Sequence, residues 1–137
     1  MSNKFVSKNE TVNIPDDYEL LLYSDIHSIK DGALSKIYIT DLLDGYSDMK
    51  IMEQVLILAS KLKEDGELHI QGLDFSRFCS YVHMRAVPWT QKIELFRNRI
   101  NCQSLHSIAL FIPPELTITN KKYVNGYYYY LCAIKNK

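Results

Sequence analysis

The sequence predicts an α/β domain, a mostly parallel sheet with helices on its faces and an antiparallel hairpin at one edge. Three observations carry this expectation. The β-branched run Ile37-Tyr38-Ile39-Thr40 suits a buried central strand, apolar residues recur at helical spacing over residues 48–63, and two extended stretches near the C-terminus flank Asn125-Gly126, a hairpin turn signal. An absence matters as much, because no glycine precedes Gly32.

Taken in order, the chain opens with three short extended pieces, residues 4–7, 11–14 and 18–25, divided by polar residues and by Pro15-Asp16-Asp17. Residues 30–33 read as a loop, and 34–43 contain the central strand, with Asp41 at its C-terminal end. Ile51, Met52, Val55, Leu56, Leu58, Ala59 and Leu62 then mark an amphipathic helix with a broad buried face, capped by Ser47 or Asp48. Gly66 is expected to end that helix, and residues 67–71 to form the next strand before Gly72-Leu73-Asp74. Residues 75–86 and 89–99 read as two helices broken at Pro88, and 105–111 as a short third helix stopped by Pro113-Pro114. Residues 116–119 and 127–135 read as the final strands, joined by 120–126, and the four consecutive tyrosines at 127–130 are explained by alternation of rings between the two faces of a strand.

Composition narrows the classes of function. The chain has 137 residues, enough for one domain with its own core, and sixteen basic residues balance sixteen acidic ones. No overall field draws in nucleic acid or an anionic membrane. Cys79, Cys102 and Cys132 are widely spaced and odd in number, which implies reduced thiols and a cytoplasmic protein rather than a disulfide framework. The N-terminus lacks the apolar core of a secretory signal, and no apolar run reaches the roughly 20 residues that span a bilayer.

At this point the sequence resembles the class I S-adenosylmethionine-dependent methyltransferases, particularly small ones associated with sugar and polysaccharide modification. The residues that carry the likeness are 25–44, Leu62-Lys63-Glu64-Asp65-Gly66-Glu67-Leu68-His69-Ile70, Leu73-Asp74 and the terminal strand pair. In that family a loop, a fourth strand followed by an acidic residue, a glycine turn and a fifth strand ending near Asp recur in this order. The likeness implies a Rossmann-like fold over about residues 18–135, with residues 1–17 a degenerate N-terminal part of one domain. It also exposes departures. The family's first strand runs into a glycine-rich loop whose bare backbone approaches the methyl donor, and none of residues 4–10 is glycine. The Glu-His pair that often follows the fourth strand becomes Asp44-Gly45, and the doubled glycine of the turn becomes Asp65-Gly66.

Asp25, Asp41 and Asp74 are expected to share the rim at the strands' C-terminal ends, and these three and Asp44 are carboxylates placed to hold a ribose, an adenine amine or an acceptor; loop solvation is the more ordinary explanation. Cys79 and His83 stand four apart on a helix, yet two ligands do not make a metal site. His27, His69 and His106 lack the context of a nucleophilic triad and read as structural. Arg77, Arg85, Lys92, Arg97 and Arg99, interleaved with Phe78, Tyr81, Trp89 and Phe96, form one basic and aromatic region that reads as a partly solvated helix pair.

The functional expectation is a non-catalytic methyltransferase-like subunit, without catalytic residues, cofactor or metal, that binds a protein partner or a second copy of itself. The alternative is an active methyltransferase acting on a glycan or small metabolite, with S-adenosylmethionine held by Asp25 and Asp41. A nucleic-acid-associated accessory protein using the Arg85 to Arg99 region is a second alternative.

Overall fold

The computed structural model describes residues 2–8, 14–43, 48–83 and 103–137. Six strands, β1 (Asn3–Ser7), β2 (Glu19–Leu22), β3 (Leu34–Thr40), β4 (Leu62–Leu73), β5 (Leu116–Val124) and β6 (Tyr128–Lys135), form one sheet in the order β2-β1-β3-β4-β6-β5. β2, β1, β3 and β4 run parallel, and β6 and β5 close the sheet antiparallel. The α/β class and the terminal hairpin are as the sequence predicts. The chain steps outward from β1 to β2 and then returns past β1 to β3, so the direction of winding switches between β1 and β3, where doubly wound sheets open a crevice.

Alternation along each strand separates two faces. On the first, Val6, Leu21, Ile37, Ile39, Leu68, Ile70, Leu131 and Ala133 meet Ile51, Val55 and Leu58 of helix α1 (Asp48–Lys61). Leu105 and Ile108 of a short helix α3 (Leu105–Leu110), which follows α2 (Phe75–His83), join the same core. Each fully buried Ile or Leu there contributes about 1.5–3 kcal/mol relative to exposure. Tyr129 belongs to this core at 1% exposure. Its ring covers Gly72, where an added Cβ would stand 2.7 Å from the phenol oxygen.

Several boundaries differ from the sequence reading for local reasons. Glu19–Leu22 is the second strand of the sheet, and the predicted extended piece at 18–25 turns after Leu22 into a 3-10 helix (Tyr23–Ser28), whose Ser28 Oγ donates to the Asp25 carbonyl at 2.6 Å. Of the predicted piece at 11–14, residues 11–13 lie outside the described residues and Ile14 is not in a strand. α1 ends at Lys61, with Leu62 already paired to Leu34. Gly66 therefore lies within β4, and the left-handed backbone belongs to Asp65 (φ 62). What Gly66 provides is closeness, since a Cβ there would meet the Lys63 carbonyl at 2.8 Å. Met52 and Leu56 fall off the buried face of α1 and are each 39% exposed. β5 extends to Val124, so the hairpin turns within Asn125, Gly126 and Tyr127, with Asn125 (φ 51) and Gly126 (φ 87) taking the left-handed pair that suits the twist of the strands. The predicted helix over 89–99 and residues 84–86 of the preceding one lie outside the described residues.

Because a methyl at position 72 would press into a fully buried ring, Gly72→Ala is expected to destabilise the protein by about 1–3 kcal/mol. Urea unfolding of the variant beside the parent checks this; equal midpoints would show that the Tyr129 ring yields freely.

Candidate functional site

The second face of the sheet is built differently from the first. Phe5, Tyr38, His69 and Tyr130 lie side by side across β1, β3, β4 and β6, with ring centroids 5.7, 5.8 and 5.8 Å apart in turn. Tyr18 meets Tyr38 edge-on at 5.9 Å, and the Tyr38 hydroxyl donates to Gln71 Oε1 at 2.6 Å. At the end of this face Phe78 and Tyr81 of α2 pack on Leu73, Tyr127 and Tyr128. The tyrosine run is thus divided among three environments: the turn, the second face and, for Tyr129, the main core.

Within the stripe the register places His69 opposite Cys132, and Glu67 follows on the same face because it stands two residues from His69. The ligand atoms of Glu67, His69 and Cys132 all lie within 4.8 Å of one another. His69 Nδ1 and the Tyr130 hydroxyl are 2.5 Å apart. Nε2 is buried and has no hydrogen-bond partner. The Glu67 carboxylate stands 3.7 Å from it and 3.3 Å from Lys36 Nζ. Burial holds the His69 imidazole below its usual pKa, against the pull of Glu67 and with a smaller push from Lys36. Burial, then the neighbouring Cys132, raises the Tyr130 phenol. The group is therefore a neutral imidazole with one anchored and one open nitrogen, beside a buried thiol and a carboxylate.

No sequence motif announces this cluster. Glu67-Leu68-His69 is a two-residue spacing that means something only in a strand, and Cys132 joins it through a ladder between distant segments. Cys79 and His83, the pair visible in the sequence, are both exposed on α2. Exposure also leaves His27 and His106 as surface residues.

The rim is as expected in outline only. Asp25 and Asp41 are exposed beyond the C-terminal ends of β2 and β3, strands separated by β1. Asp41 has a left-handed backbone (φ 57), and its N–H donates to the Gln71 carbonyl at 2.8 Å. Asp44 lies outside the described residues. Asp74 is fully buried, and its carboxylate accepts from the Arg77 N–H at 2.9 Å and the Leu105 N–H at 2.7 Å, so it caps α2 and α3. That corrects its placing among the ligand-facing carboxylates of the rim. Of the basic and aromatic region, Phe78 is buried and Arg77 sits 3.7 Å over the Tyr123 ring; Arg85, Trp89, Lys92, Phe96, Arg97 and Arg99 lie outside the described residues.

Between β1 and β2 lie residues 8–18, none of them glycine; Asp16 and Asp17 turn there, and residues 9–13 lie outside the described residues.

No protein-family model matches the chain, and no curated protein matches it. Solved structures do. The PH0226 protein of Pyrococcus horikoshii superposes with a TM-score of 0.64 at 14% identity, over 88% of this chain and 60% of that one. A chain from the complex between the Haloferax volcanii Trm112 methyltransferase activator and a methyltransferase-designated protein gives 0.63 at 8%, over 91% and 64%. A SAM-dependent methyltransferase from Archaeoglobus fulgidus gives 0.61 at 12%, over 96% and 75%. The chain thus has a class I methyltransferase-like fold, and it spans less than two thirds of the length of the Pyrococcus and Haloferax chains.

Two outcomes are expected. Asp74→Ala strips two helix N-termini of one buried acceptor and should cost about 2–4 kcal/mol in a denaturant titration. Acidification should destabilise the metal-free protein as pH falls through the ordinary imidazole value of 6.5, because the unfolded His69 takes up a proton that the folded one resists. The loss continues until the lowered folded value is passed. Glu19 and Asp31, held down by Lys4 and Lys61, titrate below this window. Melting curves between pH 7.5 and 5 should show the loss in the parent and a smaller one in His69→Gln.

Proposed function

We propose that this chain is a non-catalytic methyltransferase-like protein, a binding or scaffold subunit that associates with another protein, such as an intact methyltransferase, or with a second copy of itself. The observation that carries this reading is the absence of glycine from residues 8–18, the sequence that follows β1, where the resemblance leads one to expect a glycine-rich donor loop. Two further features support it. Asp74 is committed to capping helices, and Asp25 and Asp41 stand apart at the rim with a strand between them. The Haloferax neighbour comes from a complex of a methyltransferase with an activator, which makes a partner-dependent role natural for this fold. The free thiols of Cys79 and Cys132 accord with a cytoplasmic setting, and no described helix is long and apolar enough to cross a membrane.

A ligand at a hundred times its Kd stabilises a protein by about 2.7 kcal/mol, several degrees of melting temperature. Under this reading S-adenosylmethionine at millimolar concentration gives neither a melting shift nor calorimetric heat. Micromolar binding would overturn the proposal and return Asp25 and Asp41 to a donor-binding role; loss of that binding in Asp41→Ala would locate it. Light scattering of the purified protein, alone and co-expressed with a complete methyltransferase, is expected to show a dimer or a stable heteromer.

A further inference from the structure

We propose that Glu67, His69 and Cys132 form a binding site for a divalent transition-metal ion of the zinc class, which clips β4 to β6 on the second face of the sheet. The inference is independent of whether the protein binds a methyl donor.

The donor set comes first. A thiolate, an imidazole nitrogen and a carboxylate suit zinc and its neighbours, whereas magnesium and calcium prefer oxygen alone. Zinc ligands at about 2.0–2.3 Å from the ion, arranged tetrahedrally, lie roughly 3.3–3.8 Å from one another. The three donor atoms here already lie within 4.8 Å, so side-chain rotation of about an ångström closes the site without moving the backbone. Two adjacent strands fix that backbone: His69 pairs with Cys132, and Glu67 with Ile134.

The second observation is the imidazole itself. Its Nδ1 is engaged by the Tyr130 hydroxyl while Nε2 is buried without a partner. A buried ring nitrogen left open is unfavourable, and a ligand that takes it up relieves that cost. In metal sites the ligating histidine is oriented by a hydrogen bond to its other nitrogen, and here Tyr130 Oη holds Nδ1 while Nε2 lies on the side of the Glu67 carboxylate; metal binding takes the tautomer with its proton on Nδ1, donated to Tyr130 Oη. Tyr130 is thus a positioning residue. Lys36, 3.3 Å from the Glu67 carboxylate, competes for one oxygen, yet it is half-exposed and free to turn to solvent.

Binding replaces the Cys132 thiol proton: the S–H bond breaks, a sulfur–metal bond forms, and one proton passes to the buffer. The three protein ligands leave a fourth position for water or for a donor atom brought by a partner.

The test uses the full chain, stripped with a chelator and titrated with zinc, then with cobalt as a spectroscopic substitute. Expected are one ion per chain, a raised melting temperature, proton release that varies with the buffer's ionisation enthalpy, and a near-ultraviolet thiolate-to-cobalt charge-transfer band. Cys132→Ser removes the band, while Cys79→Ser and Cys102→Ser retain it. Tyr130→Phe weakens zinc affinity about 10-fold, and His69→Gln weakens it more. His69→Gln leaves the thiol intact, so a Cys132→Ser chain that fails to fold does not stop the test. Failure to bind zinc below about 10 μM, a cobalt band that survives Cys132→Ser, or unchanged affinity in folded His69→Gln overturns the proposal.

Discussion

The carboxylate of Asp74 holds four parts of the chain in one arrangement. It ends β4, receives the first free N–H groups of α2 through Arg77 and of α3 through Leu105, and its own N–H donates to the Tyr127 carbonyl in the hairpin turn at 2.9 Å. The Phe75 N–H donates to the Gln103 carbonyl one residue further on. A helix of six residues has too few internal bonds to stand alone, so α3 depends on this anchor and on the reciprocal Ser104 and Ser107 cap. From that dependence follow the positions of Leu105 and Ile108, and with them the cover over β5 and β6.

The sheet divides its labour by face. One face is hydrocarbon, closed by α1 and α3, and accounts for most of the buried apolar surface. The other carries stacked rings interleaved with Glu67, His69, Gln71 and Cys132, a composition that gives up packing energy for hydrogen bonding and ligand chemistry. The C-terminal ends of the parallel strands, where such folds ordinarily do their chemistry, are followed by the exposed Asp25 and Asp41. Among the described residues the buried side-chain polar atoms without a partner are Gln54 Oε1 on α1 and His69 Nε2 near the middle of the second face.

Much of the architecture was legible in the chain. Ile37-Tyr38-Ile39-Thr40 and the spacing from Ile51 to Leu62 identify β3 and α1 because burial imposes a period on both, and Asn125-Gly126 locates the hairpin because few residues accept a left-handed backbone. Boundaries were less legible where tertiary contact overrides local preference. Leu62 continues the apolar pattern of α1, yet it enters the sheet because Leu34 is there to pair with it. The Glu67, His69 and Cys132 group was hidden for a related reason, since the register between β4 and β6 is a property of the folded sheet. Asp74 was noticed as a carboxylate at a strand tip, but only coordinates show that its lone pairs are spent on backbone amides.

The antiparallel closure of the sheet by β6 also sets an order of events as the chain leaves the ribosome. β5 and β6 are neighbours in sequence and need only a three-residue turn to pair, but the ladder from Leu73 and Tyr128 to Glu67 and Ile134 closes a loop that includes α2 and α3. Loop entropy delays that docking, and an isolated hairpin is marginal until it docks. During synthesis β4 therefore precedes its partner β6, with one edge unpaired and Glu67, His69 and Gln71 on a face not yet lined by Tyr130 and Cys132.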